Sequence, residues 1–175
     1  MIVAKFILTI FLTLTIDATY SQSREQLISN IRVEFKRINF QAKLRTKELN
    51  SEELLGQMTD GGSKLTGYFE DDKLVKFTEW VGLSYGSIAS EYYIKNGELF
   101  FVFQKESKYA DKVDGIVGDL DYTKLESKFE GRYYFNSEEL IKEIEKGERL
   151  FSREFDKVKA IEYVKTIAEL LKNEN

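Results

Sequence analysis

The spacing of apolar positions changes twice along the chain. From Ser23 onward, Leu27, Ile31, Phe35 and Ile38 recur at steps of three or four residues, the spacing that lines one face of a helix. Ser23 with Gln26 supplies a capping box at its start. Asn50 with Glu53 predicts a second, shorter helix that buries Leu54, Leu55 and Met58 before Asp60-Gly61-Gly62 ends it. Between about Leu65 and Phe135 the period falls to two. Residues 65–70 and 73–81 read as strands joined by Asp71-Asp72, and residues 88–95 and 98–105 as strands joined by Asn96-Gly97. Asn-Gly is the stronger turn signal, because a type I′ turn needs positive φ at both central positions.

Counting outward from that turn sets Lys95 against Glu98, Ile94 against Leu99, Tyr93 against Phe100 and Tyr92 against Phe101. One face then carries Ile88, Tyr92, Ile94, Leu99, Phe101 and Phe103 and is the expected core. The other carries Glu91, Tyr93, Phe100, Val102 and Gln104. Residues 108–127 spread aspartates among glycines and read as a long loop, and residues 128–135 return to strand. Asn136 with Glu139 predicts a helix to Lys146, ended by Gly147. Phe155, Val158, Ile161, Val164, Ala168 and Leu171 mark a last amphipathic helix. The hairpins share a rough pattern of aromatic strand, polar turn and strand opened by leucine, which a meander produces without duplication. The expected fold is one α+β domain: an antiparallel β-meander of about five strands packed with N-terminal and C-terminal helices.

The N-terminus changes the extent of that domain. Lys5 precedes an apolar run from Phe6 to Ile16 and a polar stretch from Asp17 to Ser23, the layout of a secretory signal, with Thr19 and Ser21 suited to a cut before Gln22. Residues 1–21 are therefore expected to be a cleaved signal peptide and residues 22–175 a single periplasmic or secreted domain. The run is shorter than the roughly 20 residues that cross a bilayer, so no transmembrane anchor is expected in the mature chain.

Composition removes chemistry rather than adding it. The 175 residues include no cysteine, histidine or proline, so disulfides, thiolate nucleophiles, Cys/His zinc sites and imidazole bases are excluded. Gly82-Leu83-Ser84-Tyr85-Gly86 spells the nucleophile elbow of serine hydrolases, but strands flank it and there is no histidine base, so it reads as a hairpin loop. Asp111, Asp114, Asp119 and Asp121 lack the spacing of a calcium loop. No catalytic residue, metal site or cofactor is assigned. Residues 22–50 hold 7 basic and 3 acidic side chains in a chain of net charge -4, and six of these cations, Arg32, Lys36, Arg37, Lys43, Arg45 and Lys47, are interleaved with Phe35 and Phe40 on the expected basic helix. Contact with an anionic lipid or polymer is conceivable there; nucleic acid is not expected, given export and the negative net charge. The most informative surface is the aromatic ladder, in which adjacent rings alternate between sheet faces. Tyr93, Phe100 and Tyr133, or Tyr134 in its place, with Glu91 beside them, are the candidate binding residues, either an open platform for a sugar ring or partner chain, or a face covered by the C-terminal helix.

The segments Gly67-Tyr68-Phe69-Glu70, Leu74-Val75-Lys76-Phe77, Glu91 to Phe103 and Arg132-Tyr133-Tyr134-Phe135 with Glu139-Leu140-Ile141 resemble a group of exported bacterial proteins of unknown function. The resemblance implies an N-terminal helix, an antiparallel meander and an exported address, and carries over no catalytic residue. Three functions remain: a non-catalytic binding module that sequesters a small ligand or inhibits an enzyme, an immunity-like or structural envelope protein with a protein partner, and a hydrolase built on two converging carboxylates.

Overall fold

The computed structural model describes residues 23–41, 43–49, 59–113, 116 and 118–173. Helix α1 spans residues 23–40. Seven strands follow: β1 (Arg45–Leu49), β2 (Ser63–Glu70), β3 (Lys73–Leu83), β4 (Gly86–Lys95), β5 (Glu98–Asp111), β6 (Leu120–Asn136) and β7 (Glu139–Gly147). Helix α2 (Lys157–Asn173) closes the chain. The strands form one antiparallel sheet in the order of the sequence, a seven-stranded meander rather than five. The additions are β1, a short edge strand too polar to show alternation, and β7. The expected signal peptide and the expected helix from Asn50 to Met58 lie outside the described residues.

Each sheet face carries a helix. On one, Leu65, Phe69, Phe77, Ile94, Leu99, Val102, Tyr133 and Phe135 pack under Ala160, Val164, Ile167 and Leu171 of α2. On the other, Val75, Tyr93, Phe100, Phe101 and Tyr134 pack under Ile28, Ile31 and Ile38 of α1. Two buried layers of this size remove the need for a disulfide. Asp156 caps α2 by accepting the amides of Val158 at 3.0 Å and Lys159 at 3.2 Å. At its other end, Lys47 of β1 donates to the Leu171 carbonyl at 3.0 Å. Val158, expected on the buried stripe of α2, is 56% exposed; Ala160 and Ile167 take that role.

Three two-residue turns build the sheet end beneath α1: Asp71-Asp72, Asn96-Gly97 and Ser137-Glu138. Positive φ angles at Asp71, Asn96, Gly97, Ser137 and Glu138 place all three in the left-handed region that tight hairpins require. After each turn the second strand bulges at its third residue. Tyr68 faces Lys76 while Phe69 faces Leu74, leaving Val75 extra; Tyr93 faces Phe101 while Ile94 faces Leu99, leaving Phe100 extra; Tyr134 faces Lys142 while Phe135 faces Leu140, leaving Ile141 extra. The same eight-residue pattern recurs three times: tyrosine, an apolar residue, a polar one, two turn residues, a charged one, leucine and an apolar bulge.

The bulge at Phe100 corrects the expected register. Beyond it Tyr92 pairs with Val102 and Glu91 with Phe103, so Phe101 and Phe103 lie on the face of Tyr93, and Val102 on the face of Tyr92. Two further expectations are overturned. Residues 136–146 form a hairpin strand, because Asn136 and Glu139 flank a turn with two positive φ angles instead of capping a helix. Residues 108–127 are mostly strand: Lys108 pairs with Glu126 and Tyr109 with Leu125, so β5 and β6 outrun their neighbours as a ribbon. Arg45 and Lys47, read as part of the basic helix, belong to β1.

Candidate functional site

The face beneath α1 is ordered in rows that cross the strands. Tyr93, Phe101 and Tyr134 are cross-strand neighbours on β4, β5 and β6, and Glu91, Phe103 and Arg132 form the next row. Side chains in such rows point the same way and touch. Phe35 of α1 packs on the first row, its ring centroid 5.0 Å from Tyr93 and 5.2 Å from Phe101. Between them α1 and the sheet leave a groove of about 460 Å³, lined on the helix side by Arg32, Phe35, Lys36, Asn39 and Phe40 and on the sheet side by both rows.

The polar groups of the groove are arranged asymmetrically. At the β4 side, Glu91 is paired with Lys76 at 2.7 Å and accepts a hydrogen bond from the Tyr93 hydroxyl. That hydroxyl accepts in turn from Asn39 Nδ2 at 2.9 Å, and Asn39 Oδ1 accepts from Lys76 at 3.1 Å. Burial, reinforced by the Glu91 carboxylate, pushes the Tyr93 phenol up, so it stays protonated and serves as a fixed donor. At the β6 side the groups are cationic. The Arg132 guanidinium lies 5.1 Å from the Phe103 ring centroid and that of Arg32 lies 5.9 Å from Tyr134, both close enough for cation–π attraction. Arg132 pairs with Glu130 at 2.9 Å, whereas Arg32 and Lys36 meet no carboxylate among the described residues. Among the lining residues Glu91 alone is acidic, and it is already matched.

The residues singled out from the sequence are divided by the sheet. Tyr93 and Glu91 line the groove; Tyr93 is fully buried at its floor and Glu91 is half-exposed. Phe100 is on the same face but buried under α1 as a bulge residue, 8% exposed, with its ring 6.1 Å from Tyr93. Tyr133 is on the opposite face, where it stacks on Phe155 at 3.6 Å and bonds Glu145 and Arg149. An open platform of Tyr93, Phe100 and Tyr133 is therefore not assembled. Both faces of the ladder are covered over these residues, Tyr93 and Phe100 by α1 and Tyr133 by α2 with its connector. Simple alternation sets Phe101 and Phe103 on the face opposite Tyr93, and the bulge at Phe100 brings them to its side, in rows with Tyr134 and Arg132. Of the basic and aromatic residues noted between Arg32 and Lys47, Arg32, Phe35, Lys36 and Phe40 line the groove, and Arg37, Lys43, Arg45 and Lys47 do not.

The other sequence motifs are structural where they are described. Ser84 and Tyr85 are the turn between β3 and β4, and Ser84 donates to Asp60. Gly82 lies so close to the next loop that a Cβ there would come within 2.7 Å of the Gly61 carbonyl. Asp111 and Asp119 pair with Lys108 and Lys112, and Asp121 accepts from the Thr123 amide at 3.0 Å. Among the described residues no three acidic side chains gather as a metal site, and no helix is long and apolar enough to cross a membrane. The chain matches no family model, and comparison with curated proteins and with solved structures found no similar protein.

Proposed function

We propose that the protein is an exported, non-catalytic binding module that holds a small, largely apolar ligand in the groove between α1 and β4–β6. The observation that carries this reading is the groove itself: about 460 Å³, floored by Tyr93, Phe101, Phe103 and Tyr134 and walled by Phe35. Its volume and its few convergent polar groups suit small-molecule sites, which are mainly apolar concavities with sparse orienting groups. Export follows from the signal-like pattern of residues 1–21.

Titration with dodecan-1-ol, followed by thermal unfolding and calorimetry, tests the binding. A saturable 1:1 stabilisation is expected, and Phe103→Glu, which places a charge on the groove floor at a half-buried position, should abolish it without unfolding the protein. Absence of saturable binding, or binding that Phe103→Glu leaves intact, overturns the reading.

A second reading, recognition of a protein partner, is favoured by one feature. The β5–β6 ribbon bears Val113, Ile116, Tyr122 and Leu125, exposed by 98%, 84%, 66% and 47%. Exposed apolar side chains along a projecting ribbon and its loop suit a protein contact.

A further inference from the structure

Resting on the groove reading above, we infer that the ligand is a free single-chain amphiphile with an anionic head. Its alkyl chain lies on the Phe101, Phe103 and Tyr134 rings, and its head is held at the β6 side by Arg32 and Arg132 with Lys36. The argument is charge complementarity within an apolar cavity. The whole chain carries a net charge of -4, yet three cations line this groove and its one acidic lining residue is already satisfied by Lys76 and Tyr93. Arg32 and Lys36 meet no carboxylate among the described residues, so a ligand anion would gain an ion pair there without displacing a protein one. Arginine offers a planar fork that matches a carboxylate or phosphate edge, and each guanidinium lies within about 6 Å of an aromatic ring of the groove floor.

The arrangement also sets a direction. Arg132 and Arg32 stand over rings of β5 and β6, whereas at the β4 side the Glu91–Lys76 pair is internally neutral and Phe40, 84% exposed, extends the apolar wall. A molecule with one charged end therefore has one favourable orientation. The concave, aromatic-lined shape suits a single molecule; a bilayer surface would call for a flat basic face with apolar side chains projecting from it.

The test compares three ligands of equal chain length at monomeric concentrations: dodecanoate, dodecan-1-ol and dodecyltrimethylammonium, each titrated by calorimetry into the full protein. Dodecanoate is expected to bind about tenfold more tightly than the alcohol, equivalent to one well-placed charge-assisted contact, and the ammonium more weakly than either. In Arg32→Gln/Lys36→Gln, both exposed positions on a helix that tolerates glutamine, the ratio of dodecanoate to dodecanol affinity should fall toward one. Arg132→Gln should lower the ratio independently. Lys124→Gln/Lys157→Gln removes the same charge elsewhere and should leave the ratio unchanged. Equal affinity for dodecanoate and dodecanol overturns the anionic head but leaves the groove reading standing. A preference that survives in both groove variants also overturns it, since the head would then lie elsewhere. No binding by any of the three defeats the groove reading and this inference together. Binding to vesicles of phosphatidylglycerol without binding of monomeric dodecanoate overturns the free amphiphile in favour of a membrane surface.

Discussion

Two glutamates on the α2 face of the sheet show how local partners decide the sign of a pH effect. Glu106 is fully buried and accepts the amides of Leu150 at 2.6 Å, Phe151 at 2.9 Å and Ser152 at 3.1 Å, together with the Ser152 hydroxyl, so one carboxylate fixes the connector between β7 and α2. Burial opposes its ionisation, but these four donors outweigh burial and hold the carboxyl below its ordinary value of 4.5. Among the described residues Glu79 has only the Tyr163 hydroxyl at 2.9 Å, and there burial wins and pushes the carboxyl up. For Glu106 the unfolded chain binds the proton first, so its contribution is complete above the ordinary value and is lost as pH falls from there through the lowered folded value. For Glu79 the folded chain binds the proton first. Its charged form costs stability at neutral pH, and that cost is relieved as pH falls through its raised value toward 4.5. Glu106→Gln should therefore cost roughly 2 to 3 kcal/mol at neutral pH by leaving donors without a charged acceptor, and should flatten the acid limb of stability. Glu79→Gln keeps an acceptor for Tyr163, should not destabilise at neutral pH, and should remove the gain on mild acidification. Urea unfolding of the three proteins from about pH 7 to pH 4 checks both signs.

At the scale of elements, the recurring hairpin explains both what could be read from the sequence and what could not. The Asn96-Gly97 turn, the paired strands around it and both terminal helices follow from local rules, because turn chemistry and a period near 3.6 or 2 leave direct marks in residue order. The bulge leaves none: Phe100 and Phe101 are adjacent and aromatic, and either could face inward. Comparison of the three turns would have revealed it, since Tyr68 to Val75, Tyr93 to Phe100 and Tyr134 to Ile141 share tyrosine, leucine and a final apolar residue at equal offsets. It would also have identified β7 as a strand, where Asn136 and Glu139 imitate a helix cap. The groove was legible on its helix side, where cations alternate with aromatics, and illegible on its sheet side, where one inserted residue exchanges the faces of Phe101 and Phe103. The bulge carries its own prediction. Deleting Phe100 leaves Ile94 opposite Leu99 and Tyr93 opposite Phe101, so pairing should persist at a cost of about 3 to 5 kcal/mol, that of losing one buried phenylalanine. Deleting Val102 instead interrupts regular pairing and forces one part of β5 to exchange faces, so no native-like fold is expected. Cross-strand Hα–Hα nuclear Overhauser contacts between residues 87–93 of β4 and their β5 partners should survive the first deletion and vanish in the second.

For the molecule as a whole, one sheet serves as the shared wall of two separate apolar layers. Ile38 of α1 and Ile167 of α2 are each 1% exposed, yet they belong to clusters on opposite faces with the backbone of the sheet between them. The layers are joined through that sheet and by bonds at its edges: Arg37 of α1 to Glu70 of β2 at 2.8 Å, and Lys47 of β1 to the end of α2. A hydrogen-bonded sheet is stiff across its plane, so shrinking a side chain on one face should not be felt on the other, although both faces are lost when the sheet unfolds. This separates two quantities. Ile38→Val and Ile167→Val should each cost about 0.5 to 1.5 kcal/mol, small enough to leave the double variant folded. In a double-mutant cycle the losses should add to within about 0.5 kcal/mol, because the two sites share no partner. Both substitutions should nevertheless move a single transition, seen at the same urea concentration by far-ultraviolet circular dichroism and by Trp80 fluorescence, because neither helix has a layer to pack on without the sheet. An interaction energy above about 1 kcal/mol would mean that the sheet transmits strain between its faces. A transition that splits, with Ile38→Val moving only one part, would make α1 a separately melting element, and the groove it walls would open before the rest of the protein unfolds.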